Sequence, residues 1–184
     1  MPAPATPLPT TRERLLDAFA AVVVATGPRS ATLEAVAAEA GVSKGGLLYH
    51  FATKDALVDA LLARAERVVT DDLAAMRAAP EGAAVYYVRT SLAPVDDPLH
   101  RAMVAVLRLA QDGDPRAAAG YAAAAESWRA LIEEQVGDPA LARTLQLVGD
   151  GLWGQASTGA VRPALEADLD GVLAVVARLA PPRP

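Results

Sequence analysis

The sequence predicts an all-α protein: an N-terminal three-helix head of helix-turn-helix type, followed by a C-terminal helical bundle, about nine helices in total. Three observations predict this class. Hydrophobic residues make up 53% of the chain but aromatic residues only 4%. Ala and Val supply much of that apolar content, which suits close helix packing better than a ring-rich sheet. Apolar residues recur at three- and four-residue spacing, and Gly-Pro, Asp-Pro and Gly-Asp-Pro clusters cut the chain into helix-sized pieces.

The elements follow in order. Residues 1–9, MPAPATPLP, hold four prolines and are expected to form a disordered arm. They lack the basic stretch and apolar run of a secretory signal. Thr10-x-x-Glu13 is a capping box, Leu15, Phe19, Val22 and Val23 follow at helical spacing, and Gly27-Pro28 ends a first helix over 10–26. Thr32 is an N-cap with Glu34 in the first turn, Leu33, Val36 and Ala37 face inward, and Gly41 stops the second helix. After the turn "GVS", Ser43 caps a third helix, so that helix, glycine turn and helix match a helix-turn-helix. Thr53 caps a long fourth helix that carries Asp55, Leu57, Leu61, Val68 and Met76 and ends at Pro80. Five more are expected over 82–93, 96–111, 115–136, 139–159 and 163–180. Leu141, Leu145, Val148 and Leu152 form a seam spaced 4, 3, 4, repeated by Leu165, Leu169, Val172 and Val176. Such seams suit a bundle. The expected division is an arm over 1–9, a head over 10–54 and a second domain over 55–184.

Composition narrows the function. The absence of cysteine excludes disulfides and thiolate metal sites, and cytoplasm is the expected compartment. The two histidines, His50 and His100, lie too far apart in sequence for a metal-ligand motif, and neither a metal nor a cofactor is expected. Apolar runs such as 18–28 and 151–161 are shorter than the roughly 20 residues that span a bilayer. The net charge of −5 argues against general nucleic-acid coating. Residues 1–54 nevertheless carry +1, from Arg12, Arg14, Arg29, Lys44 and Lys54 against Glu13, Asp17, Glu34 and Glu39, which leaves −6 on the rest. No P-loop, dinucleotide fingerprint or G-x-S-x-G elbow supports an enzyme. The adjacent acids Asp71-Asp72, Asp96-Asp97 and Glu133-Glu134 read as solvated surface.

The stretch SKGGLLYHF, 43–51, places Gly45 and Gly46 side by side in a helix, where each costs about 1 kcal/mol against Ala. Within TLEAVAAEAGVSKGGLLYHFATKDAL, 32–57, the order of Thr32, Val36, Ala37, Ala40, Gly41, Val42, Ser43, Lys44, Gly45, Leu47, Tyr49, His50, Phe51, Lys54 and Leu57 resembles the DNA-binding signature of TetR-family transcription regulators. A recognition helix enters the major groove, and a residue without Cβ lets its backbone approach the bases. The glycine pair then trades helix stability for access.

The resemblance implies a double-stranded DNA operator as partner. It places Thr32 and Ser43 on phosphates through helix N-termini, Lys44 in the groove or on phosphate, and Tyr49, His50 and Lys54 on the backbone. Base readout falls to Lys44 and to the surface of Gly45, Gly46 and Leu48, where a Leu can meet a thymine methyl. Capping alone also explains Thr32 and Ser43, and packing also explains Tyr49 and His50.

The resemblance further implies a homodimer on a palindromic site, with the two seams as candidate interface and Gly149, Gly151, Gly154, Ala156 and Gly159 permitting close approach. It implies an unidentified small-molecule effector in the C-terminal domain, with a shift of the fourth helix separating the heads. Met76, Tyr86, Tyr87, Met103, Tyr121, Trp128, Gln146 and Trp153 are candidate pocket residues, although ordinary core also explains them. The expected function is thus a repressor released by its effector. The alternatives are a ligand-dependent activator and a helical protein-interaction module with a degenerate helix-turn-helix. No membrane partner is expected.

Overall fold

In a computed structural model of the chain, residues 10–157 and 161–182 are described. The expected arm and Gly159 lie outside these. Every regular element among the described residues is helical: α1 (Thr11–Thr26), a 3-10 turn (Pro28–Ser30), α2 (Leu33–Glu39), α3 (Lys44–His50), α4 (Lys54–Ala78), α5 (Ala83–Thr90), α6 (Pro98–Gln111), α7 (Pro115–Val136), α8 (Pro139–Ala156) and α9 (Arg162–Leu179).

These helices divide between two compact units. The first holds the described residues up to Ala65 together with Ala102–Gly120; the second holds Glu66–Arg101 and the described residues from Tyr121 onward. The first unit thus extends past the 10–54 head.

In the first unit α1 packs on α2 and the 3-10 turn, and α2 packs on α3. Leu15, Leu16, Phe19, Val23, Val36, Leu47, Leu57 and Leu61 are buried, each large side chain stabilising by about 1.5–3 kcal/mol. The capping box forms: the Thr10 amide donates to Glu13 Oε2 at 2.7 Å, and the Glu13 amide to Thr10 Oγ1 at 3.2 Å. The turn after α2 needs Gly41, whose φ of 66° lies in the left-handed region. There the Gly41 amide donates to the Ala38 carbonyl at 3.1 Å and the Val42 amide to Ala37 at 3.0 Å, satisfying the last carbonyls of the helix.

The same unit carries a guanidinium hub. Asp114 caps α7 by accepting from the amides of Arg116 and Ala117, and it takes the Arg116 side chain at 2.7 Å. That guanidinium also reaches Asp59 at 2.8 Å and Asp55 at 3.4 Å on the first turns of α4. The bond from Arg116, with the two amides, holds the Asp114 carboxyl down at about 2.

In the second unit α5 packs on α8 and α9, and α8 packs on α9. A Cβ at Gly149 would lie 2.6 Å from Tyr87 Cε1 and 2.8 Å from Ser91 Oγ, so this glycine lets α5 and α8 close up within the chain. A Cβ at Gly151 or Gly154 would meet nothing within 4 Å. The two seams are partly consumed here as well. Leu145, Leu152 and Val176 are buried, while Leu141, Val148, Leu165, Leu169 and Val172 are half-buried. The first three therefore have little surface left for a second copy.

Three helix ends differ from the sequence expectation for definite reasons. α5 stops at Thr90 rather than 93 because Arg162 Nη2 donates to the carbonyls of Leu92 at 2.5 Å and Ala93 at 3.0 Å. α6 starts at Pro98 because Asp97 caps it, accepting from the His100 amide at 2.9 Å, and proline suits the first helical position. α8 ends at Ala156, capped by Ser157, rather than at 159.

Candidate functional site

Each residue of the head motif follows from a cap and a packed face. Thr32 Oγ1 accepts from the Ala35 amide at 3.1 Å and Ser43 Oγ from the Gly46 amide at 3.0 Å, so both hydroxyls start helices and both residues are exposed. Leu47 and Phe51 are buried and fix the inner face of α3. The opposite face then points outward: Leu48 is 41% and Tyr49 85% exposed, and His50 is half-buried with its ring edge-on to Tyr49 at 5.1 Å. A Tyr held this far into water gains nothing from the core.

The two glycines differ. Nothing comes closer than 4.0 Å to a Cβ at Gly45, so no intramolecular crowding requires it. A Cβ at Gly46 would press on Ser43 Oγ at 3.3 Å, so Gly46 also protects the cap oxygen.

The two lysines are both engaged. Lys44 Nζ lies 2.5 Å from Glu34 Oε1, with both side chains more than half exposed, and this bond holds the Glu34 carboxyl below its ordinary value. Exposed pairs of this kind contribute about 0–1 kcal/mol, so the contact is weak. Lys54 Nζ donates to the Pro28 carbonyl at 2.5 Å, which ties the start of α4 to the 3-10 turn. Sequence reasoning gave no role to Arg12, whose guanidinium lies 5.0 Å from the centre of the Phe51 ring, or to Arg14, which donates to the Ala40 carbonyl at 2.9 Å.

The candidate pocket residues separate. Met103 belongs to the first unit and is buried there. Gln146 is fully buried and satisfied, donating to the Ala125 carbonyl at 2.8 Å and accepting from Arg143 at 2.6 Å. Met76 is buried core. Trp153 is half-buried and its ring lies 5.7 Å from that of His100, whose Nδ1 is buried without a partner. Burial and the nearby Arg162 charge push the His100 pKa down.

Tyr86 and Trp128 do converge, on a residue the sequence reading assigned to solvated surface, and Tyr87 packs beside Trp128. Asp72 Oδ1 accepts from Tyr86 Oη at 2.9 Å, and Asp72 Oδ2 accepts from Trp128 Nε1 at 2.8 Å. Tyr87 Oη donates to Asp150 Oδ1 at 2.5 Å, and its ring lies 5.9 Å from that of Trp128. Burial raises the Asp72 carboxyl above its ordinary value against the pull of its two donors. Burial and the bond to Asp72 push Tyr86 up to about 12. The signal for Asp72 was its register, since Val69, Asp72 and Met76 share the inner stripe of α4.

Residues 15–61 match the family model described as bacterial regulatory proteins, tetR family, and 81–179 match a tetracyclin repressor-like C-terminal domain. The HTH-type transcriptional regulator SrpR of Pseudomonas putida is 43% identical over 53 residues, which is 29% of this chain and 25% of that one. The chain therefore spans only a quarter of SrpR's length. A TetR-family member from Streptomyces coelicolor superposes with a TM-score of 0.67 at 30% identity, covering 94% of this chain and 99% of that one. The multidrug binding protein EbrR, complexed with malachite green, superposes with a TM-score of 0.64 at 25% identity, covering 94% and 99%.

Proposed function

Because the chain belongs to the TetR family of non-enzymatic, DNA-binding bacterial regulators, we propose that it is a homodimeric repressor that holds a palindromic operator until a small molecule releases it. The observation that carries the DNA-binding half is the outer face of α3: Leu48 and Tyr49 stand in solvent, Gly45 offers bare backbone, and Ser43 caps the helix start. Docked in a major groove, that face gives Leu48 a thymine methyl and Gly45 the close approach that its missing Cβ allows. Thr32, Ser43, Tyr49, His50 and Lys54 then serve phosphates, which orient the head without reading sequence. Lys44 exchanges Glu34 for DNA.

One head reads too few base pairs for a unique site, which favours two related by a two-fold axis. Exposed Leu147 on α8 and Val175 and Leu179 on α9, beside half-buried Leu141, Val148, Leu165, Leu169 and Val172, supply the apolar surface for that pairing. An effector in the second unit is supported by the clustering of Tyr86, Tyr87 and Trp128, and by the complex of the multidrug binding protein EbrR with malachite green. We place the protein in the cytoplasm, where its operator would be; no helix among the described residues is long and apolar enough to cross a membrane.

Selection of duplexes from a random pool by the purified protein, at two salt concentrations, tests this reading. An enriched palindrome whose affinity falls with salt at a log-log slope of about −0.9 per phosphate contact supports it. Failure of a folded, dimeric protein to enrich any sequence would overturn it and favour the protein-interaction module.

A further inference from the structure

We propose that Glu34 is a brake on DNA binding: its carboxylate neutralises Lys44 in the free head and, once Lys44 turns to a duplex, is left facing the phosphates and repels them. This rests on the reading of α3 as the helix that meets DNA, and it adds a residue that works against that contact.

α3 opens with Lys44, directly after the cap Ser43, and carries no acid in its first turn. A cation there faces the positive end of its own helix dipole, a position that favours acids over lysine. The compensating acid comes from a different helix. Glu34, in the first turn of α2, lies 2.5 Å from Lys44 Nζ. The other lysine of the head is held differently. Lys54 Nζ donates to the Pro28 carbonyl, a neutral acceptor that leaves its positive charge uncancelled. Lys44 meets a full carboxylate, so the pair at the start of α3 presents no net charge to a duplex.

Two costs follow when Lys44 leaves Glu34. The first is the pair itself, which is small because 55% of the Lys44 side chain and 63% of the Glu34 side chain lie in solvent. The second is the carboxylate left behind. Thr32, two residues before Glu34, and Ser43, one before Lys44, cap the two helix starts at which these charges stand. An unpaired Glu34 is therefore within the length of one lysine side chain of the phosphates those starts meet, and like charges brought together across an interface oppose association. Phosphates are the same on every duplex, so both costs fall on operator and bulk DNA alike. The brake lowers affinity without changing which sequence is preferred, and a smaller coupling from an effector then suffices for release.

Fluorescence anisotropy of the full chain with a labelled random-sequence duplex, and with the palindrome that selection enriches, tests the proposal. Glu34→Gln is expected to tighten both about five- to ten-fold at low salt while keeping their affinity ratio within about two-fold. The gain should shrink as salt rises. In a Lys44→Ala background Glu34 is unpaired before and after binding, so the same substitution should gain a factor about two-fold smaller or less. Glu39→Gln removes an equal charge from an exposed position of α2 and should change affinity less than about two-fold. Far-UV circular dichroism checks that each variant is folded. Unchanged or weaker binding by folded Glu34→Gln, an equal gain in the Lys44→Ala background, an equal gain from Glu39→Gln, or a gain confined to the palindrome would each overturn the proposal. Absence of duplex binding by wild type and every variant would overturn the DNA-facing reading of α3 and the brake with it. Wild-type binding that Glu34→Gln leaves unchanged removes the brake alone.

Discussion

Asp114 shows how one carboxylate sets a response to acid. Its bond from Arg116 and the α7 amides hold its folded value at about 2, against 3.8 ordinarily. A depressed carboxylate contributes stability that is complete above the unfolded value and is lost as pH falls toward the folded one. The window is therefore from about pH 4 down to about pH 2. Asp114→Asn keeps a capping side chain but removes the titration, so thermal melts at pH 4, 3 and 2 should fall less steeply than for the parent protein. An unchanged slope would assign the acid response to other groups. At this scale the sequence was legible where a residue acts locally and opaque where its partner is distant. Thr10, Thr32 and Ser43 were readable as caps because the amide they serve is three residues away. Asp72 was not, because its donors sit 14 and 56 residues downstream.

The elements were readable for the same local reason. Their breakers are Gly and Pro, whose conformational limits do not depend on the fold. What sequence left open was which face of each helix the chain uses up for itself. The seam through Leu145, Leu152 and Val176 turns inward, and Met103 and Gln146 are buried. Gly149 and Gly120 make the distinction measurable. Gly120 in α7 has nothing within 4 Å of a Cβ, so Gly120→Ala should stabilise by up to about 1 kcal/mol through helix propensity. Gly149→Ala forces a methyl against the Tyr87 ring and should destabilise by about 1–3 kcal/mol despite the same propensity gain. Urea unfolding of the two variants reads the difference. A stabilised Gly149→Ala would mean that α5 moves away without cost.

For the whole molecule the governing proposal is pairing. Leu147 is 60% exposed on α8, an apolar side chain that the chain's own packing leaves in water. Leu147→Glu should leave the urea midpoint of the separated subunit unchanged and shift sedimentation from dimer to monomer, with loss of affinity for a full palindrome but not for calf-thymus-like bulk duplex. A dimer that persists would move the interface off this face. Charge is partitioned too, with +1 over residues 1–54 and −6 over the remainder. On the proposed function, this partition favours encounters of a duplex with the head.

The Arg116 hub gives ionic strength a mechanical meaning. One guanidinium gathers Asp55, Asp59 and Asp114 at an exposed position, so that salt which screens DNA phosphates also loosens the fastening of α7 to α4. On the proposed function, affinity for the operator should carry two salt dependences, one from released counterions and one from a slackening scaffold. A plot of log affinity against log salt should bend downward at high salt, and Asp59→Asn should move that bend to lower salt without changing the limiting slope.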